Sequence, residues 1–152
     1  MDTPQPAVPS RLLVASRTDT GNRPYNEDAI IWDPELGLIA VADGMGGHNA
    51  GEVASATALE IVRTFLEKSA NNRDCTWPFG VNPTLSFAAN RLITAVKLAN
   101  RRVHTLAEQR AEYTGMGTTL VVALVSGTLA TFASVGDSRV YTVSPPAIQQ
   151  VS

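Results

Sequence analysis

Residues 118–125, Thr-Thr-Leu-Val-Val-Ala-Leu-Val, are a β-prone run with apolar side chains on both alternating faces. A strand of this kind is stable only where both faces are covered, so the chain must fold into packed layers. Ser126-Gly127 suits a tight turn, and residues 129–135 return as the antiparallel partner. The covering elements lie upstream. Leu85, Ala89, Leu92, Val96, Ala99, Val103 and Leu106 recur every three or four residues and predict a long amphipathic helix. Ala54, Ala58, Ile61 and Phe65 predict another over residues 51–68. Residues 71–83, with Pro78, Gly80 and Pro83, read as the connecting loop. Residues 12–16, 29–32 and 38–42 read as three early strands, the last two joined by Asp33-Pro34-Glu35-Leu36-Gly37. Strands, two helices and more strands in that order predict an α+β domain of layered sheets with helices outside.

Composition narrows the function. The formal net charge is −2, so no basic field exists to hold nucleic acid or an anionic membrane surface. No apolar run reaches the roughly 18 residues of a membrane span. Cys75 is the sole cysteine, which excludes an internal disulfide, and with His48 and His104 it makes too thin a set for structural zinc. The opening MDTPQPAVPS is acidic and proline-rich where a signal peptide is apolar. Residues 1–10 are expected to be a disordered lead-in, residues 11–152 one folded unit, and the location the cytoplasm.

Three clusters can carry chemistry. In Val41-Ala42-Asp43-Gly44-Met45-Gly46-Gly47-His48 an apolar strand is expected to end on a carboxylate and run into glycines. Glycine permits close backbone approach, so the Gly44 carbonyl can face the same site as Asp43. Oxygen donors of this type suit Mg²⁺ or Mn²⁺. The plainer alternative is an Asp-Gly turn in which Asp43 caps the next helix. Phosphate-loop readings fail on residues: G-x-G-x-x-G from Gly44 meets Asn49, and the Walker pattern from Gly46 meets Glu52 where lysine is required. In Gly21-Asn22-Arg23-Pro24-Tyr25-Asn26-Glu27-Asp28, Arg23 can grip a phosphate while Glu27 and Asp28 hold metal-bound waters; the alternative is a solvated loop of loosely paired charges. Gly136-Asp137-Ser138-Arg139 falls at a junction between strands, either as a plain turn or as a third acidic edge.

Thr18-Asp19-Thr20-Gly21 with Arg23 and Asn26-Glu27-Asp28, then VADGMGGHNAGEVAS, then Gly115-Met116-Gly117-Thr118-Thr119, then Val135 to Tyr141, together resemble the metal-dependent protein phosphatase (PPM, type 2C) family in its bacterial form. The resemblance spans residues 11–143 and implies part of a four-layer α-β-β-α sandwich. It implies hydrolysis of phosphoserine and phosphothreonine on proteins by a metal-activated water, without a covalent enzyme intermediate. Asp43 would bridge two Mn²⁺ or Mg²⁺ ions, the Gly44 carbonyl would bind one of them, and Asp137 would join a third. Glu27 and Asp28 would hold metal-bound waters and Arg23 the substrate phosphate. Phosphorylated proteins, substrates of a serine/threonine kinase, would be the partners. Some family members carry a histidine directly after the Asp-Gly pair as general acid; here Met45 stands there, and His48 is either that acid displaced by the glycines or a surface residue at a helix start.

The family's catalytic domain takes two further aspartates from its C-terminal third, in Asp-Gly and Asp-Asn contexts, and neither follows Asp137. The chain is therefore expected to be a fragment lacking that third and nearly inactive alone, with apolar sheet edges exposed. A non-catalytic phosphoprotein-binding module that keeps Arg23 and Asp43 is the alternative.

Overall fold

The computed structural model describes residues 12–47, 50–70 and 75–152. The proposed lead-in over residues 1–10 lies outside them. Strands β1 (Asp28–Asp33) and β2 (Leu38–Met45) form a hairpin, followed by helices α1 (Ala50–Ala70) and α2 (Phe87–Gln109). A 3-10 turn over Ala111–Tyr113 leads into β3 (Gly117–Thr118), β4 (Leu120–Ser126) and β5 (Leu129–Val135). The main sheet is antiparallel in the order β1-β2-β4-β5, with β3 paired to the far end of β2. Strands β6 (Tyr141–Ser144) and β7 (Ala147–Gln150) make a separate hairpin. The expected α+β class is what the chain adopts.

Strand alternation decides where the helices sit. In β2, Leu38, Ala40 and Ala42 are at most 1% exposed and Val41 and Asp43 are exposed, so one face is core and the other open. Leu120, Val122 and Leu124 of β4 extend the core face. Onto it pack Ala54, Ala58, Val62 and Leu66 of α1 and Leu92, Ala95, Ala99 and Val103 of α2. The alanines let the helices approach closely. Each large aliphatic side chain buried there contributes about 1.5–3 kcal/mol. Ser86 caps α2 by accepting from the Ala89 N–H at 3.1 Å, a contribution of about 1 kcal/mol. Buried Asn90 ties the preceding loop to α2 by donating to the Asn82, Leu85 and Ser86 carbonyls.

Several expectations need correction. Residues 12–16 pair with no strand among the described residues, and Leu13 is 83% exposed; a strand pattern that does not come into register with a sheet edge makes no ladder. Two early strands therefore stand where three were expected. β2 does not stop at Asp43 but continues to Met45, because Gly44 and Met45 pair with Thr118 and Gly117. The 118–125 run is split at Thr119 for a reason that concerns the site. Helix α2 begins at Phe87, not near Leu85, because Ser86 is its cap. Trp77 packs edge-on against Phe65 and Phe87, whereas Trp32 is 49% exposed on the sheet's open face. Helices cover one face of β4; across the sheet Trp32, Val41 and their neighbours leave the opposite face open.

Candidate active site

Pairing of β1 with β2 sets Asp28 directly opposite Asp43 on the open face. Like charges placed directly opposite in an antiparallel pair repel. Burial raises the Asp28 carboxyl above its ordinary value, helped by the charge of Asp43 and a hydrogen bond with it; a hydrogen bond from Thr18 and the charge of Arg23 act in the opposite sense. The pair is a concentration of negative oxygen that a cation would relieve.

The loop before β1 is built by its own polar side chains. Asp19 accepts from the Gly21 N–H at 2.9 Å, closing a turn in which Gly21 has a φ of +62°. Asn26 accepts from the Asp28 N–H at 3.1 Å and donates to the Thr18 hydroxyl at 2.8 Å. That hydroxyl in turn lies 3.5 Å from the Asp28 carboxylate. Arg17 pairs with Asp19 at 3.6 Å, whereas Arg23 is exposed and forms no ion pair among the described residues. Tyr25, beside it, is 60% exposed.

Asp43 is held through its backbone. Its carbonyl accepts from the Thr119 N–H and from the Thr118 hydroxyl, both at 2.9 Å, and its N–H donates to the Thr119 hydroxyl at 3.1 Å. Gly44 is buried against the first turn of α1, where a Cβ would collide with the Gly51 carbonyl oxygen and sit 2.7 Å from that of Glu27. The Glu27 carbonyl binds this corner together, accepting from the Gly44 N–H at 3.1 Å and the Ser55 hydroxyl at 2.7 Å. The Glu27 carboxylate lies against Gly51, at the helix N-terminus, where negative charge is favoured.

Asp137 is exposed in the segment between β5 and β6, and its neighbour Ser138 places a hydroxyl 2.7 Å from that of Thr119. The three clusters thus converge on one end of the sheet. Among the described residues no three His, Cys, Asp or Glu side chains gather closely enough to hold a metal. His48 lies outside the described residues. His104 is solvent-facing, paired with Glu108 at 3.3 Å, and Cys75 is half-buried. No helix of the described residues is long and apolar enough to cross a membrane.

Thr18, Asn26, Thr118, Thr119 and Ser138 carry the motifs of the resemblance, yet nothing in their spacing assigns them tasks. Thr-Thr at a strand start reads as β propensity. Only Asn26 and Ser138 stand within a few residues of an acid the chemistry needs, beside Asp28 and Asp137.

A family model described as protein phosphatase 2C matches residues 20–152. The serine/threonine phosphatase stp of Listeria innocua is 31% identical over 144 residues, covering 90% of this chain and 52% of its own length. The serine/threonine protein phosphatase PstP of Mycobacterium tuberculosis is 32% identical over 142 residues, covering 93% of this chain and 24% of its own. Among solved structures, the serine/threonine phosphatase Stp1 from Staphylococcus aureus matches with a TM-score of 0.72 at 38% identity, over 90% of this chain and 51% of that one. The catalytic domain of PstP in complex with two manganese ions matches with a TM-score of 0.67 at 29% identity, over 86% and 50%. The chain spans about half the length of the Listeria relative it matches.

Proposed function

The chain belongs to the protein phosphatase 2C family, and from that premise we propose that it carries the acidic half of a site that hydrolyses phosphoserine and phosphothreonine on proteins. The observation that carries this reading is the opposed Asp28–Asp43 pair on the open sheet face, with Arg23 exposed in the loop that leads into β1. The donor chemistry suits Mn²⁺ or Mg²⁺, since every candidate atom is a hard oxygen. Two carboxylates and a carbonyl are a partial set, because each such ion takes about six oxygens.

In this reading Asp43 and the Gly44 carbonyl would hold two cations, and Glu27 and Asp28 would hold the water around them. Asp137 would serve a third and weaker ion. When bound, the cations supply the activation of the attacking water and the positive charge that phosphoryl transfer needs. Arg23 captures the substrate phosphate with its planar fork of donors and turns it toward the acidic pair. The motif neighbours keep these groups in place. The substrates would be phosphoproteins made by a serine/threonine kinase, and the lone cysteine suits a reducing cytoplasm.

The test is Mn²⁺-dependent phosphate release from a phosphothreonine peptide by the intact protein that contains residues 1–152, with and without chelator. Release that the chelator abolishes supports the reading. Tight binding of the peptide without release in Mn²⁺ would instead support a phosphoprotein-binding module. Within that assay Arg23→Ala is expected to raise KM about tenfold or more with little change in kcat, because a bidentate contact to the phosphate exists before and during reaction. A fall in kcat at constant KM would contradict the assigned task. Asp137→Ala is expected to leave two tight Mn²⁺ sites in calorimetry and weaken only the third. Loss of both tight ions would reverse that ranking.

A further inference from the structure

We propose that Thr119 is a positioning residue whose hydroxyl couples the Asp43 backbone to the Asp137 segment, so that the acid bridging the tight ions and the acid serving the weak one are set by a single side chain. The inference rests on the metal roles proposed for Asp43 and Asp137. Its basis is an irregular rung in the ladder. Val41 opposite Val121 and Gly44 opposite Thr118 place Thr119 opposite Asp43. Directly opposed residues at a hydrogen-bonded position of an antiparallel pair exchange two backbone N–H···O=C bonds. Here only one is of that kind, from the Thr119 N–H to the Asp43 carbonyl. The Asp43 N–H goes to the Thr119 hydroxyl at 3.1 Å. The same hydroxyl oxygen lies 2.7 Å from that of Ser138, in a hydrogen bond that either group can donate.

The side chain has no freedom to do otherwise. Thr119 is 7% exposed, and a Cβ on Gly136 would lie 2.8 Å from its methyl carbon, so it packs against the start of the Asp137 segment. Gly136, at a φ of +91°, turns the chain there without a side chain that would displace the methyl. The backbone carbonyl of residue 119 would satisfy the Asp43 amide equally well but would leave it unconnected to residue 138. What the hydroxyl adds is the link to residue 138.

The measurements are Mn²⁺ calorimetry, hydrogen exchange at the Asp43 amide, and kcat and KM for the phosphothreonine peptide, all on the intact protein. Thr119→Val keeps the shape and removes the hydroxyl. It is expected to weaken Mn²⁺ binding by about tenfold or more, the range found when groups supporting metal ligands are removed. It should also speed exchange at Asp43 and lower kcat with KM little changed. Thr119→Ser should recover most of the lost affinity. Ser138→Ala should loosen the weakest ion alone, and adding it to Thr119→Val should cost nothing more, since the link is already broken. A folded Thr119→Val protein with unchanged Mn²⁺ affinities overturns the proposal, as does strict additivity of the two changes. Should Thr119→Val fail to fold, Ser138→Ala and Thr119→Ser decide: unchanged affinity for every ion in Ser138→Ala, or a loss in Thr119→Ser as large as that from Asp43→Asn, overturns it. Asp43→Asn separates the two levels. If it titrates with Mn²⁺ as the parent does, the metal assignment itself fails; if it loses Mn²⁺ while Thr119→Val does not, only the coupling fails.

Discussion

Asparagine in place of Asp43 is expected to lower Mn²⁺-dependent phosphate release by at least about a hundredfold, or about 2.7 kcal/mol of transition-state stabilisation, while the protein stays folded. The two halves of that expectation have separate causes. Asp43 is held by its backbone, through Thr118 and Thr119, and none of those bonds uses the carboxylate. Its carboxylate faces that of Asp28 across the strand pair, so a neutral amide removes repulsion and can donate to the acid opposite. Metal-free melting temperature should therefore hold or rise. The Mn²⁺-induced rise in melting temperature should disappear, because ligand stabilisation vanishes with affinity. A variant that loses activity by unfolding would show the reverse order, a lower metal-free melting temperature first. Retained activity would remove Asp43 from the metal site.

The other large effect is structural. Gly44→Ala is expected to destabilise the protein by about 3 kcal/mol or more, seen as a marked fall in urea midpoint at constant slope. The added methyl meets two backbone oxygens, those of Gly51 and Glu27, and neither can rotate away as a side chain would. Relief requires β2 to separate from the first turn of α1, which breaks the Gly44 to Glu27 hydrogen bond of 3.1 Å and shifts Asp43, its neighbour. Gly47→Ala is the control. A Cβ there meets nothing within 4 Å, so its effect should stay within about 0.5 kcal/mol. Equal midpoints for the two variants would show that the close approach of strand and helix is not what residue 44 requires.

Residue periodicity made the helices and the inner strands legible. The apolar spacing of Ala54, Ala58 and Phe65 placed α1 within two residues of its observed ends, Ala50 and Ala70. The repeat from Leu92 to Val103 did the same for the body of α2, where Leu92, Ala99 and Val103 are buried and Val96 is half-buried. Other features depend on partners that no local pattern names. Residues 12–16 have a strand's composition, but strand formation requires an edge in register. Through Gly44 the side-chain alternation falls silent, so the extension of β2 to Met45 became visible only with Gly117 and Thr118 beside it.

The site divides along the same line. Asp43, Asp28 and Arg23 stand out as residue types whose chemistry is scarce elsewhere in their segments. That Asp28 lies opposite Asp43 follows from register, which the turn between β1 and β2 sets and neither cluster reveals alone. Thr119 is harder still. Within Thr-Thr-Leu-Val-Val it reads as one more β-branched residue, and its hydroxyl acquires a task only when Asp43 and Ser138 arrive on either side of it.

The central claim is that hard cations sit on the open face of the sheet at the end marked by Asp43. Crystals of the intact protein grown in Mn²⁺, with diffraction collected at the manganese absorption edge, test it directly. The account predicts two anomalous peaks that share the Asp43 carboxylate, one of them also bound to the Gly44 carbonyl, with Asp28 reached through water. Manganese bound elsewhere, with the Asp28–Asp43 pair left without it, would contradict it.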